Sequence, residues 1–322
     1  MLNLDRLGFF LACVDGQSNM KNGRIKLHSY AKINLGLHIL GKRVDGYHEI
    51  RTLYQTILLH DNIDISVRSG GGLEFNCNLV ELRGENNLVV RAIQAIRSRT
   101  GVKTGLSVQL YKQIPMGSGL GGGSSNAAIT IMGLDYLLKL KMSRQEWFEI
   151  GEELGADVPF FFLGGRAVGL GRGSEVYSLQ DHLPTHVLIV VSRYPMSTVE
   201  AYRQASLRLT SLVNKSKIPA FCPAIIDSIE SGKELENHFE TVVFKNQPSL
   251  RQIKKKLLRC GATRAGLTGS GSAIVGVFEN KRDLKRAQMA LRNRDIRLIT
   301  TRTTTQRQYQ NSLAECFQPA TK

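Results

Sequence analysis

Residues 114–128 read IPMGSGLGGGSSNAA and place five glycines in seven positions directly before a long apolar, helix-like stretch. Glycine is entropically costly to order, and a cluster this dense therefore needs a physical reason. A flexible linker fits poorly, because strong patterns of secondary structure adjoin the cluster on both sides. The pattern instead predicts a backbone that comes very close to an anion.

The segments on either side of the glycines indicate which anion. Residues 106–111, LSVQLY, alternate as a half-buried strand does, and the segment after the glycines has apolar residues at helical spacing. Unpaired N–H groups at a helix N-terminus point outward, and the helix dipole favours negative charge there. Ser124 and Ser125 are expected to supply the N-cap and hydroxyl donors. The sequence therefore predicts a phosphate-binding loop.

Two familiar phosphate-binding patterns are absent from the sequence. No Gly-Lys-Ser/Thr follows the glycines, so the loop is not a Walker A sequence. The HRD and DFG elements of eukaryotic protein kinases are also missing.

Length and composition set the outer limits. The chain has 322 residues with 42% hydrophobic content, which is enough for two domains. No apolar run approaches the roughly 18–20 residues that span a bilayer. The 43 Lys and Arg exceed the 27 Asp and Glu, giving a net charge of +16 that favours polyanionic partners. Many of these basic residues lie on late helical segments, where solvated outer faces are expected.

The five cysteines are scattered and form no CxxC pair, so the sequence supports neither a disulfide framework nor a zinc site. A reducing, cytoplasmic location is expected. Residues 7–14, LGFFLACV, look like a signal-peptide core, but the preceding MLNLDR has no net positive charge. Secretion is therefore the weaker interpretation, and the N-terminus is expected to be a weakly ordered extension.

Strand-like and helix-like segments alternate along the rest of the chain. Ser143 and Glu146 form a capping-box pattern that opens a helix, and residues 186–192, HVLIVVS, are typical of a buried central strand. This interleaving predicts an α+β fold with two packed layers. The expected division is an extension over 1–23, a first domain over 24–180, a second domain over 181–310 and a tail over 311–322.

Three further segments accompany the glycine loop: residues 30–57, with Lys32 and Asn34 in an apolar strand, residues 155–175, with Asp157 in GADVPFFF, and residues 265–278, AGLTGSGSAIVGVF. Together with the loop, and in this order, they resemble the GHMP kinase superfamily, which includes galactose, homoserine and mevalonate kinases. The resemblance runs from about residue 26 to about residue 305. DGYHEIRT, at residues 45–52, is the most discriminating part.

The resemblance implies a fold, a reaction and its reactants. It implies an N-terminal domain like that of certain ribosomal proteins and a ferredoxin-like C-terminal domain. It also implies that ATP with Mg²⁺ phosphorylates the 2-hydroxyl of a cytidine-diphosphate-linked sugar alcohol, in isoprenoid precursor synthesis. Ser118 stands where the family loop more often has glycine, which matters only if this position needs a positive φ.

The resemblance also assigns the catalytic residues. Asp157 would be the general base, whereas its residue type and position alone fit a helix N-cap equally well. Lys32 would lie beside Asp157, keep it ionised and stabilise charge on the transferring group. Without the resemblance, Lys32 would be interpreted as an exposed strand lysine.

The remaining residues belong to binding sites by the same resemblance. Asn34 is expected to bind substrate or phosphate, and Tyr47 and His48 to form part of a cytidine pocket in which Tyr47 stacks on the base. Tyr202 is expected to cover the other face of the base. The residues expected to bind ATP are Pro115, Met116, Gly117, Ser118, Gly119, Leu120, Gly121, Gly122, Gly123, Ser124 and Ser125. Gly269, Ser270 and Gly271 are expected to close the site from the second domain, although a plain turn is the competing interpretation.

Two other functions stay open at this point. One is a GHMP kinase for a different small alcohol, which would have no use for the base-stacking pair Tyr47 and His48. The other is an RNA-binding protein that uses the positive charge on a ribosomal-type fold. The basic helices contain few aromatic residues, and RNA binding would leave the glycine loop without an explanation. Neither membrane nor nucleic acid is therefore expected as a partner.

Overall fold

The computed structural model describes residues 23–192 and 236–317. Tyr202 and residues 1–22 lie outside these ranges. Within them, helices and strands alternate in two sheets with helices packed on their outer faces, which is the α+β architecture that the sequence predicts.

The first sheet carries the predicted phosphate loop. Its strands are β1 (Arg24–Lys42), β2 (His48–Arg68), β3 (Leu73–Cys77), β4 (Gly105–Tyr111), β5 (Arg166–Leu170) and β6 (Glu175–Ser178). Its helices are α1 (Leu88–Thr100), α2 (Gly122–Leu138), α3 (Arg144–Leu154) and the single turn α4 (Phe160–Leu163). A short 3-10 helix spans Val80–Leu82.

Strand β2 organises this sheet because it pairs with three others. It runs antiparallel to β1 along nearly its whole length, to β4 over residues 62–68 and to β5 over residues 52–55. Three irregularities in the β1–β2 register adjust which side chains face each other, one of them between Asn34 and Gly36. The loop after β4 and the segment before β5 are thereby held at the same strand pair.

Helix α2 lies deep inside the first domain and positions the glycine loop at its N-terminus. Almost every residue from Ser125 to Leu137 is buried. At Gly133 a Cβ atom would lie 2.4 Å from Cδ1 of Leu27, so glycine lets the helix approach β1 without displacing this side chain. The helix start is therefore fixed against the sheet by core packing.

The second sheet packs face to face on the first. Its elements are β7 (His186–Ser192), α5 (Glu240–Asn246), α6 (Pro248–Arg259), β8 (Arg264–Leu267), β9 (Ala273–Phe278), α7 (Lys281–Ala290) and β10 (Ile296–Arg302). The strand order is β10-β7-β9-β8, all antiparallel, so β7 is an inner strand as predicted. One face, with Leu188 and Ile274, packs on helices, and the other, with Val187 and Val275, packs on Ile33 and Ile57 of the first sheet.

The helix cap predicted at Ser143 is present in the structure, but part of the expected C-terminal tail is a helix. The capping box of Ser143 and Glu146 is formed at the start of α3. Residues 311–316 belong to helix α8 (Gln306–Cys316), which Thr305 caps. Tyr309 of α8 is fully buried, and its hydroxyl donates to the Phe161 carbonyl. The assignment of residues 311–322 to a tail is therefore wrong for 311–316, because an apolar face of α8 packs on the first domain.

In the described ranges, no helix has the length and apolar character needed to cross a bilayer.

Candidate active site

The glycine loop joins β4 to α2 and depends on left-handed backbone conformations. Gly117, Gly119 and Gly121 have φ of +63°, +80° and +69°, a region that other residues rarely adopt. Ser118 is not among the residues with positive φ, and its hydroxyl donates to the Pro115 carbonyl at 2.7 Å. A serine at this position therefore does not disturb the loop.

The helix start differs from the expected serine cap. Gly121 is the N-cap of α2, in a left-handed conformation and without a side-chain cap, so Ser124 and Ser125 both lie inside the helix. Ser125 is fully buried, and its Oγ accepts a hydrogen bond of 2.7 Å from Ser29 Oγ on β1. The expected N-cap role of the two serines is wrong. The Ser125 side chain faces the core, whereas the first N–H groups of α2 remain available to an anion.

A cleft of about 370 Å³ lies in front of the loop. Every residue from Pro115 to Ser124 lines it, so ten of the eleven expected ATP-binding residues are brought together and Ser125 is not among them. The cleft is also lined by residues that the sequence did not single out: Leu82, Asn86, Asn87, Leu88, Leu110, Lys112 and Asn126.

Asp61 holds the two ends of the loop together. Its fully buried carboxylate accepts hydrogen bonds from the N–H groups of Gln113 and Ile114 at 2.7 and 2.9 Å, and from Asn126 Nδ2 at 2.9 Å. It also forms an ion pair with the Lys112 ammonium. A Cβ atom at Gly122 would lie 2.9 Å from Lys112 Nζ, so this buried cation lies directly at the helix start. One carboxylate thus positions both a cation and the backbone that leads into the loop.

Lys32 and Asp157 meet beside the loop. Lys32 Nζ lies 3.1 Å from Asp157 Oδ2 and donates to Asn34 Oδ1 at 2.6 Å. Lys32 is almost completely buried, whereas the Asp157 side chain keeps 34% exposure and can meet a ligand. The Lys32 N–H donates to the Leu120 carbonyl at 3.0 Å, and a Cβ atom at Gly121 would lie 2.9 Å from Lys32 Cγ. The pair is therefore immediately adjacent to the turn that opens α2.

The alternative interpretation of Asp157 as a helix N-cap is wrong. Helix α4 has Pro159 as its N-cap and no side-chain cap. Asp157 Oδ1 instead accepts a hydrogen bond of 2.9 Å from the Tyr54 hydroxyl. Tyr54 is a site residue that the sequence analysis did not identify. Both oxygens of Asp157 thus have a partner that holds the carboxylate in place.

The turn of the second domain packs against the glycine loop. A Cβ atom at Gly119 would lie 2.1 Å from the Thr268 carbonyl oxygen, and one at Gly271 would lie 2.5 Å from the Ser118 carbonyl carbon. Thr268 Oγ1 accepts from the Asn34 N–H at 2.9 Å. Asn237 Nδ2 donates to the Leu267 and Gly269 carbonyls at 2.9 Å each, which fixes the shape of the turn. Residues 269–271 therefore pack directly on the glycine loop.

Tyr47 and His48 occupy a separate, more open place at the β1–β2 hairpin. The Tyr47 side chain is 55% exposed, and the guanidinium of Arg172 lies 4.8 Å from its ring centroid. Burial, with a contribution from the Lys42 ammonium, lowers the pKa of His48, so the imidazole is neutral at pH 7 and has one donor and one acceptor nitrogen. These two residues do not line the cleft at the glycine loop.

The geometry agrees with what the chain is similar to. A protein of Solibacter usitatus named 4-diphosphocytidyl-2-C-methyl-D-erythritol kinase is 41% identical over 265 residues, which are 81% of this chain and 83% of the relative. Residues 87–165 match the GHMP kinases N terminal domain, and residues 223–296 match the GHMP kinases C terminal domain. The chain belongs to the GHMP kinase family.

Other comparisons place this GHMP kinase among its relatives. A protein of Syntrophotalea carbinolica that carries the same name as the Solibacter relative is 39% identical, over 78% of this chain and 88% of the relative. The crystal structure of a 4-(cytidine 5'-diphospho)-2C-methyl-D-erythritol kinase matches with a TM-score of 0.72 and 30% identity, over 87% of this chain and 99% of that chain. A homoserine kinase structure from Cytophaga hutchinsonii matches with a TM-score of 0.65 and 18% identity, over 90% of this chain and 97% of that chain, and shares the fold.

Proposed function

We propose that this GHMP kinase transfers the γ-phosphoryl group of ATP to the 2-hydroxyl of 4-diphosphocytidyl-2-C-methyl-D-erythritol, a step of isoprenoid precursor synthesis. The observation that carries the proposal is the Lys32–Asp157 ion pair, 3.1 Å long, which adjoins the glycine loop at Gly121. A proton acceptor and a phosphate-binding backbone thereby face the same small volume, as phosphoryl transfer requires.

In the proposed reaction the chain supplies position and charge. The substrate hydroxyl gives its proton to Asp157 as the oxygen forms a bond to the γ-phosphorus. The bond between that phosphorus and the bridging oxygen breaks, and ADP leaves with the bridging oxygen. Lys32 and the N–H groups at the start of α2 stabilise negative charge on the phosphoryl oxygens. Asn34 holds the Lys32 ammonium in place through its 2.6 Å hydrogen bond.

Mg²⁺ is proposed as the metal that accompanies ATP. The ion keeps several waters and is held largely by the phosphates themselves in such sites. Ser124, which lines the cleft, and the exposed part of Asp157, beside the loop, are oxygen donors that fit this chemistry. Ser125 does not fit, because its hydroxyl is bonded to Ser29 in the core.

Substrate specificity is proposed to depend on the β1–β2 hairpin. Tyr47 has an exposed ring on which cytosine can stack, and neutral His48 can donate to or accept from its polar edge. Substrates without a base, such as homoserine and mevalonate, cannot use either group.

A cytoplasmic location is proposed as well, and it is supported by the three described cysteines, Cys77, Cys260 and Cys316, which are free thiols.

The test is ADP release with 4-diphosphocytidyl-2-C-methyl-D-erythritol, homoserine and mevalonate offered separately. We expect turnover with the first substrate only. Asp157→Asn should lower kcat by about 10²–10⁴-fold and keep the fold, whereas Asp295→Asn, at an exposed aspartate, should leave kcat unchanged. Comparable turnover of homoserine or mevalonate would refute the substrate, and a near-normal kcat for Asp157→Asn would refute the base.

A further inference from the structure

Arg172 lies in a turn that is tied to the proposed base. The turn joins β5 to β6, and it is closed by a hydrogen bond of 2.8 Å from the Gly173 N–H to the Leu170 carbonyl. Gly171 and Gly173, on either side of Arg172, have φ of +66° and +100°. These positive values turn the chain sharply at Arg172.

Two hydrogen bonds fix this turn to strand β2. The Ile50 N–H donates to the Gly171 carbonyl at 2.7 Å. The Tyr54 hydroxyl lies 3.3 Å from the Gly173 carbonyl oxygen and 2.9 Å from Asp157 Oδ1, so its single hydrogen is shared between the turn and the proposed base. The Tyr54 hydroxyl therefore bridges the backbone next to Arg172 and the proposed base, where the acceptor hydroxyl would react.

The other end of Arg172 reaches the proposed cytosine subsite. Its guanidinium lies 4.8 Å from the Tyr47 ring centroid, a distance at which cation–π attraction operates. Partial burial raises the pKa of the Asp45 carboxylate, but the Tyr47 N–H, Arg43 and, least of all, Arg172 lower it, so that it lies below its ordinary value. Within residues 23–192 and 236–317, no carboxylate lies within 4.0 Å of the Arg172 guanidinium. Among the described residues it has no ion-pair partner, in contrast to Arg43 and Arg51, which pair with Glu49.

The order of the groups along the proposed substrate determines which of them lies between Tyr47 and Asp157. Such a molecule runs from base to ribose, then to diphosphate, then to the sugar alcohol. If the base stacks at Tyr47 and the alcohol meets Asp157, the diphosphate must cross the space between them. Guanidinium is the side chain best matched to phosphate oxygens, because it offers parallel donors as well as charge.

We propose that Arg172 binds the diphosphate of the substrate and selects for cytidine diphosphate derivatives over unphosphorylated cytidine. This inference rests on the proposed function and adds the residue that reads the diphosphate. By lying on one face of Tyr47, Arg172 also leaves the opposite face to the base. It acts in binding, so its removal affects KM and leaves the chemical step intact.

The experiment compares two ligands in two proteins. Binding of CDP and of cytidine is measured by calorimetry in the presence of a saturating non-hydrolysable ATP analogue, which occupies the glycine-loop cleft. Wild-type enzyme should bind CDP at least tenfold more tightly than cytidine. Arg172→Gln should bind the two ligands with affinities within about threefold of each other, and Arg172→Lys should keep part of the preference. Arg297→Gln, at an exposed arginine of β10, serves as the charge-matched control and should behave as wild type.

Steady-state kinetics supply a second readout. Arg172→Gln should raise KM for the cytidine substrate at least tenfold, with kcat within about threefold and KM for ATP unchanged. Equal weakening of CDP and cytidine would mean that Arg172 only supports Tyr47, and it would overturn the proposal. An unchanged CDP preference in a folded Arg172→Gln enzyme would also overturn it. Failure of the proposed function looks different, because wild-type enzyme would then not turn over the cytidine substrate at all.

Discussion

The buried ammonium of Lys32 and the partly exposed carboxylate of Asp157 lie 3.1 Å apart, although 125 positions separate them in the sequence. Lys32 is held from the other side by Asn34, and Asp157 by Tyr54. The exposed part of the pair is the acid, which is the group that has to meet a substrate.

Lys32→Met tests whether this pair serves catalysis or stability. We expect kcat to fall by about 10²–10³-fold, because a cation beside the transferring group is lost. Unfolding should change little, because Asp157 is reached by water and is not left as a buried unpaired charge. Lys26→Met, at an exposed lysine of the same strand, is the control for kcat and for urea unfolding. A Lys32→Met enzyme that is unstable but active when folded would contradict the assignment.

Asp61→Asn tests whether the buried carboxylate positions the glycine loop. The substitution leaves the Lys112 ammonium buried without its ion-pair partner, which typically costs about 3–5 kcal/mol. We also expect a higher KM for ATP, since Asp61 anchors the backbone before the loop and Asn126 after it. Asp64→Asn, on the same strand, removes an exposed ion pair with Arg24 and should have a small effect. Equal stability of the two variants would argue against the proposal that Asp61 holds the glycine loop in position.

Gly119→Ala and Gly117→Ala separate backbone strain from contact with the second domain. Both residues have positive φ, which costs an L-residue roughly 1–2 kcal/mol. A Cβ atom at Gly117 meets nothing within 4 Å, whereas one at Gly119 would lie 2.1 Å from the Thr268 carbonyl oxygen. We expect Gly119→Ala to raise KM for ATP far more than Gly117→Ala does. Similar kinetics for both variants would mean that the contact between the loop and the turn is unimportant for nucleotide binding.

His38 predicts a pH dependence of stability. Burial, and next the neighbouring His238, lower its pKa from 6.5 to about 4, with Glu236 opposing the shift. The unfolded chain therefore binds a proton at a higher pH than the folded chain, and stability falls as the pH drops from about 6.5 to about 4. Urea unfolding of wild type and His38→Gln between about pH 7.5 and about pH 5 measures this, and the variant should lose less stability over that range. Parallel curves would show that His38 contributes nothing to the dependence.

The sequence predicts those features that depend on a few neighbouring residues. The glycine loop, the capping box at Ser143 and the buried strand of residues 186–192 are local patterns, and the structure contains all of them. The N-cap of α2 was missed because a left-handed Gly121 takes the place that a serine side chain usually fills. The helix over residues 306–316 was not predicted, although Thr305 and Gln308 form a capping box at its start.

Contacts between distant segments were harder to predict. Tyr54 reaches Asp157 only because β2 pairs with β1 and β5 in one particular register, and irregularities within β1 shift that register. A signal for Asp61 was present, because it continues the alternating apolar face of Ile63 and Ile65, where a charged residue is out of place. What it binds depends on the loop after β4, which no spacing in the sequence reveals.

The backbone character of the nucleotide grip has a consequence for inhibitor resistance. A compound that competes at the glycine loop would be recognised by peptide N–H groups, which no substitution except one to proline removes. Substitution at Gly119 or Gly121 would drive a new side chain into Thr268 or Lys32, so escape there would damage the enzyme's own turnover. The hairpin around Tyr47 is open to solvent, so its residues other than Tyr47 and His48 have room to change. Resistance would therefore arise first against compounds that bind mainly to those other residues.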